Sequence, residues 1–209
     1  MGRYPFVLRL AGPGDLDHVV GLVREAAAWL RREGVDQWQK PWPDRAAQLE
    51  RILNDLFKGK TWLLRDAEAI AATITIDTDE PLDLYERPVW PPDKSPSSAL
   101  YVRRVIVSRR YARRGLGAAL LDWAAHVAKN QHGAELIRID VRTTNHRLHA
   151  YYERQLFNRR PDPHGLGDYP SQALFERWVD GPAPDFTELF KTEEGPDERK
   201  LPHQGCRQP

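Results

Sequence analysis

Val105-Ile106-Val107-Ser108-Arg109-Arg110-Tyr111-Ala112-Arg113-Arg114-Gly115-Leu116-Gly117-Ala118-Ala119-Leu120-Leu121 is the stretch from which the rest of the chain can be read. Its β-branched start predicts a strand, four arginines crowd the turn that follows, and two glycines one residue apart open an Ala- and Leu-rich helix. Glycine lets backbone N–H groups approach a ligand closely. The first turn of a helix leaves donors unpaired and carries the positive end of the dipole, so a compact anion such as pyrophosphate is held well there. Arginines nearby add charge-assisted hydrogen bonds. The stretch predicts a phosphate cradle.

Composition agrees with a small polyanionic ligand. The 209 residues suffice for one well-buried domain, and 41% hydrophobic with 29% charged residues is ordinary for a globular protein. The net charge of +1 is unevenly spread: residues 103–160 hold thirteen Lys and Arg against four Asp and Glu. A basic segment inside a neutral chain suits a compact anion better than a long nucleic acid. The single cysteine, Cys206, excludes an intrachain disulfide and a cysteine metal cluster. The first nine residues do not read as a signal peptide, and no apolar run approaches the ~20 residues that cross a bilayer. Only seven of the 31 basic residues are lysine, which with abundant Ala and Pro suggests a bacterial, GC-rich source. A cytoplasmic protein is the expectation.

Along the chain, residues 6–10 read as a strand, and Leu16, Val19, Val20, Val23, Ala26, Ala27 and Leu30 follow a helical period that Gly34 ends. A connection holding Trp38 and Trp42 leads to a second helix over 44–57. Residues 61–65 and 70–76 form a hairpin. The proline-rich stretch 77–98 is a long loop, and such loops in compact domains usually serve function. Strands are expected over 100–107, 136–141 and 172–179, and helices over 116–128 and 145–155. Residues 1–180 then make one domain. Residues 181–209 make a Pro-, Gly- and Glu-rich tail, in which Phe186, Leu189 and Phe190 are able to dock.

The strand over 100–107 changes parity. Leu100 and Val102 alternate on even numbers, Val105 and Val107 on odd ones. One extra residue at Arg103–Arg104, a β-bulge, produces that switch and splays the neighbouring strands. Burial on both faces is the blander explanation.

At this point the pieces resemble the GCN5-related N-acetyltransferase (GNAT) family, over roughly residues 7–179 and most sharply over 101–157. The family pattern Arg/Gln-x-x-Gly-x-Gly/Ala aligns with Ala112-Arg113-Arg114-Gly115-Leu116-Gly117, with Ala112 departing from the usual Arg or Gln. The family's Asn…Ala…Tyr-Glu-x-x-Gly-Phe helix aligns with Asn145-His146-Arg147-Leu148-His149-Ala150-Tyr151-Tyr152-Glu153-Arg154-Gln155-Leu156-Phe157, with Leu156 in place of glycine. The resemblance implies an α/β (α+β) fold, a mixed and mostly antiparallel sheet flanked by helices with a splayed central strand pair. It implies acetyl-CoA as acetyl donor and co-substrate, its pyrophosphate on residues 112–117 and its pantetheine arm along Val105, Ile106 and Val107. Asn145 matches a residue that contacts the cofactor, and Tyr152 matches the catalytic tyrosine. No metal is implied.

The implied reaction is direct attack of a primary amine on the thioester carbonyl. A backbone N–H on the splayed strand, such as that of Val105, can stabilise the oxyanion. The departing thiolate resembles that of cysteine, with pKa ~8.5 against ~10 for tyrosine, so the Tyr152 phenol can protonate it. Such help is worth about 10²–10⁴ in rate. The proton acceptor stays open. Asp77 and Asp79 can hold a cation, although loop solvation is the simpler account. Trp29, Trp38 and Trp42 can wall an amine site through cation–π contacts, with core packing the simpler role for Trp29.

Other readings fit less well. In a nicotinamide fingerprint the third glycine falls on Leu120, although Asp140 lies near the expected acidic position. No complete Gly-x4-Gly-Lys-Ser/Thr phosphate loop exists, since Gly59-Lys60-Thr61 has Asn54 where the first glycine belongs. His146 and His149 are three apart on a helix, with no companion ligands, and read as an exposed polar face. A non-catalytic acyl-CoA-binding regulatory domain is the alternative that the departures at Ala112 and Leu156 motivate, and Tyr152 argues against it. The partner is a small-molecule or peptide amine, with no nucleic acid and no membrane, and a homodimer is left open. Loops 34–44 and 77–98 are expected to choose the amine.

Overall fold

The computed structural model describes residues 6–82, 87–91, 98–163, 166–181 and 186–193. Short alternating or continuous apolar runs make β1 (Phe6–Leu10), β2 (Thr61–Asp66), β3 (Ala69–Asp77), β4 (Ala99–Val107), β5 (Leu136–Val141) and β7 (Ala173–Trp178). Between the last two lies β6 (Asn158–Arg159), and β8 (Phe190–Thr192) closes the described chain; both are too short to carry a periodic signal. The strands form one sheet in the order β6-β7-β5-β4-β3-β2-β1-β8. Only β4–β5 and β1–β8 are parallel. The remaining pairs are antiparallel. A sheet of this kind removes the nicotinamide reading, which needs a parallel one.

Helices α1 (Leu16–Arg32) and α2 (Arg45–Phe57) cover one face, where Val19, Val23, Ile52 and Leu56 pack on Leu63 and Ile106. Helix α3 (Leu116–His132) covers the other, with Leu120, Trp123 and Val127 against Leu64, Ile74 and Leu100. The short α4 (His146–Arg154) follows β5. Asp44 caps α2 by accepting from the Ala47 N–H at 2.9 Å. Gly133, in the left-handed conformation, ends α3 one turn later than its apolar period suggested. No helix among the described residues is long and apolar enough to cross a membrane.

The bulge expected in β4 is present. Thr73 faces Ile106 but Thr75 faces Arg103, so β4 carries one residue more than β3 across this interval. Arg104 takes up the excess with φ 49°. Leu100 and Val102 before it, and Val105 and Val107 after it, all face the α3 side. Beyond the bulge the parallel ladder is already over, since β4 and β5 pair only from Ala99↔Leu136 to Tyr101↔Arg138. The two strands then diverge and leave a notch in the middle of the sheet.

The expected tail begins too early. Residues 186–193 belong to the fold, because β8 adds to the free edge of β1. Phe190 is fully buried, and Phe186 stacks on it and meets His126 edge-on. Three apolar residues in a polar stretch thus cover α3 and a sheet edge. Residues 194–209 lie outside the described chain, as do 83–86 and 92–97 of the long loop. The remainder of that loop is anchored by Val89 and Trp90, both buried beside Tyr101 and Leu174.

Candidate active site

The turn after β4 is held from two sides. The Tyr111 hydroxyl donates to Asp66 at 3.0 Å, and Glu25 of α1 accepts from the Arg109 N–H at 2.7 Å. Arg113 (φ 65°) and Gly115 (φ 75°) are both left-handed, which turns successive N–H groups toward one side. From residue 113 to residue 118 none of these N–H groups donates to another group among the described residues, and α3 has no side-chain cap. They face a cavity of about 490 Å³. A Cβ on Gly117 would lie 2.8 Å from the Tyr151 hydroxyl, so the close approach needs glycine. Unpaired donors at a positive helix end, opening on a cavity, fit a diphosphate.

Most of the residues expected at the cofactor line this cavity: Val105, Ile106, Val107, Ala112, Arg113, Gly115, Leu116, Gly117 and Asn145. Ile106 borders it while its side chain is buried against α1 and α2. Arg114 does not line it. Its guanidinium lies 5.3 Å from the Tyr111 ring centre, because the left-handed step at Arg113 sends the next side chain outward. Asn145 does line it, with both side-chain groups already used: Oδ1 accepts from the Leu148 N–H at 3.1 Å, capping α4, and Nδ2 donates to Gln37 at 2.6 Å. Trp29 is a cavity wall rather than core, with the Arg109 guanidinium 4.1 Å from its ring.

On α4, Tyr152 is buried against Tyr151, Phe157 and Phe175. Burial, and to a lesser extent Tyr151 and Asp140, raise its pKa well above the ordinary tyrosine value, so the phenol is protonated at neutral pH. Its hydroxyl has no hydrogen-bond partner among the described residues. The residue at the family's glycine position, Leu156, adopts φ 64° and is exposed, so the turn out of α4 is made as glycine would make it. His149 corrects the expectation of an exposed face. It is buried, its Nε2 lies 3.0 Å from the Arg142 carbonyl, and its ring packs on Phe175.

A second cavity, about 260 Å³, opens on the opposite side of the notch between the diverging strands. Asp140 of β5 lies in its wall, and the Tyr169 hydroxyl donates to it at 2.7 Å. Burial raises the Asp140 pKa, and the Tyr169 hydrogen bond only partly opposes this. Trp42 stands edge-on to Tyr169 at 5.2 Å. Behind this wall, Asp55 of α2 accepts from both bulge arginines, Arg103 at 3.1 Å and Arg104 at 2.8 Å. Burial pulls the Arg104 guanidinium down to about 10, which leaves it charged at neutral pH.

Asp77 and Asp79 do not line either cavity. Asp77 binds Lys60 at 2.6 Å and Arg103 at 2.7 Å, and Asp79 binds Lys60 at 3.0 Å. They hold the protein's own cations. The two cavities share Gln37, Trp38, Val105, Leu148 and Tyr152. Gln37 and Trp38 come from the α1–α2 connection, which is fastened across the notch by Asp36 to Arg142 and Thr144 and by Gln37 to Asn145. Trp38 holds φ 61°, unusual for a bulky residue and typical of constrained sites. Sequence reasoning missed Asp140 in this role, as well as Tyr169 and Gln37. The one signal was an acidic residue between Ile139 and Val141 in a strand otherwise apolar but for Arg138.

The sheet is thus split, with unpaired backbone donors at a helix start on one side and a polar cavity on the other. A family model of the acetyltransferase (GNAT) family matches residues 22–157. Among curated proteins, an uncharacterized N-acetyltransferase of Bacillus subtilis, YesJ, is 30% identical over 143 residues, covering 67% of this chain and 74% of its own. Among solved structures, a GNAT-family acetyltransferase from Listeria monocytogenes superposes with TM-score 0.63 at 23% identity, over 83% of this chain and 94% of its own. The PaiA N-acetyltransferase of Thermoplasma acidophilum, solved with coenzyme A, gives 0.60 at 16% identity, over 83% and 98%. The chain belongs to the GNAT acetyltransferase family. It is accordingly an acyl-CoA-dependent N-acyltransferase.

Proposed function

We propose that this enzyme transfers an acetyl group from acetyl-CoA to a primary amine by direct attack, with Tyr152 as general acid and Asp140 as proton acceptor. The observation that carries the reading is the meeting of the two cavities at Val105 and Tyr152. The N–H groups of residues 113–118 would hold the diphosphate of acetyl-CoA, and Val105 and Val107 would border its pantetheine arm. The thioester it brings is the acyl donor.

The chain's own residues then divide the work. The amine enters from the Asp140 side and its nitrogen bonds to the acyl carbon. The ammonium proton passes to the Asp140 carboxylate, whose raised pKa makes it a stronger base than a surface carboxylate. The unpaired backbone at Arg104–Val105, which has no partner in the β3 ladder, supports an oxyanion contact there. As the C–S bond breaks, the Tyr152 hydroxyl gives its proton to the thiolate. The neutral amine and the thioester thus yield an N-acetylated amine and free coenzyme A, the proton taken by Asp140 balancing the one given up by Tyr152.

Tyr152→Phe tests the assignment. Turnover is expected to fall by about 10²-fold or more while acetyl-CoA binding persists. Binding is read by thermal shift, since a ligand at ~100 times its dissociation constant adds about 2.7 kcal/mol, roughly 5–10 °C for a chain this size. Unchanged turnover removes Tyr152 from the mechanism, and no shift with acetyl-CoA or free coenzyme A removes the cradle.

A further inference from the structure

The charges around the second cavity do not balance. Its charged lining residues are Lys40, Arg51, Arg103, Arg104, Arg142 and Asp140. Three of the five cations are matched within the protein. Arg103 and Arg104 are bound by Asp55, and Arg103 also by Asp77. Arg142 is bound by Asp36. Lys40 and Arg51 have no carboxylate partner among the described residues.

Arg51 is held where it can serve a ligand. It projects from α2 with its guanidinium bonded to the Trp42 carbonyl and 5.9 Å from the Trp42 ring centre. One bond fixes the group and leaves the other N–H donors of the fork for something else. The nearest carboxylates are committed elsewhere, Asp44 to the cap of α2 and Asp55 to the bulge arginines. Arg51 is exposed at the cavity wall, and the partial burial of its guanidinium lowers its pKa more than these neighbours raise it. Asp140 lines the same cavity as Tyr152, on which its charge acts, and as the five cations. A polyamine entering here meets like charges, and an amine with an anion of its own does not.

We propose that the acceptor is a small amine bearing an oxyanion, a carboxylate or a phosphate, which Arg51 and Lys40 hold while the amine faces Asp140 and Tyr152. This rests on the acetyl transfer proposed above and names the class of its second substrate. Arg51 is a specificity residue for the anion and takes no part in the bond changes.

The test is a release assay for free coenzyme A with matched acceptors: a panel of α-amino acids against their carboxamides, phosphoethanolamine against ethanolamine, and spermidine. The anionic member of the favoured pair is expected to exceed its neutral partner in kcat/KM by roughly 10–100-fold, the value of one or two charge-assisted hydrogen bonds. Arg51→Met is expected to erase that ratio through KM, and Arg51→Lys to restore part of it, with the acetyl-CoA thermal shift unchanged in both. A carboxylate or phosphate preference within the panel identifies which oxyanion is used. Faster turnover of spermidine or of the neutral amines overturns the proposal. So does a ratio that survives Arg51→Met, or failure of every anionic acceptor while acetyl-CoA still binds. Loss of the acetyl-CoA shift itself in the unaltered protein is the separate failure of the acetyl-transfer reading.

Discussion

On the side of the notch proposed for the cofactor, the continuous stretch 105–118 offers backbone N–H groups, while α1, the α1–α2 connection and α4 complete the walls. The acceptor side is walled by side chains that arrive from the α1–α2 connection, α2, β4, β5 and the loop before β7. One side needs a turn of the right shape and a helix start, both local properties. The other needs segments from across the chain, α1, α4 and the loop after β3 among them, folded together before its charges acquire partners. Sites of the first kind are robust to side-chain change, and sites of the second kind are where specificity accumulates.

The largest expected effect falls on the side-chain half. Asp55→Ala leaves Arg103 and Arg104 facing each other with Asp55's carboxylate gone, and breaking a buried ion pair on one side costs about 3–5 kcal/mol. Chemical denaturation is expected to register a loss of that size. Because the cradle is made by backbone in a different segment, acetyl-CoA still binds at low temperature. A stability change under about 1 kcal/mol would mean that the arginines find water or other partners.

Gly117→Trp attacks the other half. The side chain fills the space in front of the N–H groups and starts from a Cβ already 2.8 Å from the Tyr151 hydroxyl. Acetyl-CoA affinity is expected to fall at least about a hundredfold, near 2.7 kcal/mol, with a native circular dichroism spectrum. Intact affinity by calorimetry would place the cofactor elsewhere.

Asp140→Asn should separate activity from stability. The Asp140 pKa is raised in the folded state, so its contribution to stability is present below the unfolded value and lost as pH rises through the folded one. Once ionised, the buried carboxylate is therefore a net cost to folding, and Asn still accepts the Tyr169 hydrogen bond. The variant is expected to melt at the same or a higher temperature, while turnover drops by about tenfold or more. In the parent enzyme kcat/KM should fall as pH drops through the raised Asp140 pKa, and that limb should vanish in the variant. A retained limb assigns the proton to another group.

The smallest effect concerns a departure from the family pattern. Leu156 is exposed and left-handed, at a position where glycine avoids the Cβ clash. Leu156→Gly is expected to stabilise the fold by about 1 kcal/mol, the strain relieved less the added chain entropy. A destabilised variant would show that Leu156 packs against something beyond the described residues.

The parity switch in the strand over 100–107, the glycines after the arginine turn and the spacing of Tyr152 from Phe157 were all readable, because each depends on residues adjacent in the chain. So was the α1 face, whose apolar period is local. The docking of residues 186–193 was legible only as three apolar residues in a polar stretch, since the edge of β1 that receives them is some 180 residues away. His149 looked exposed because its partners, the Arg142 carbonyl and Phe175, join it only in the folded sheet. Asp140 drew notice for the wrong ligand, because the sequence does not say which cavity a strand residue faces.

By itself, then, the amino-acid order determined the turn with its two glycines, the bulge and the family, through backbone conformations that neighbouring residues impose on one another. Only the tertiary structure decided that β4 and β5 part after Tyr101↔Arg138, that Asp140 shares the opening with Tyr152, and that Arg51 is left with no carboxylate among the described residues. Those outcomes are balances of charge and burial among segments distant in sequence. Coulombic pairing and desolvation depend on distance in space, which the order of residues does not state.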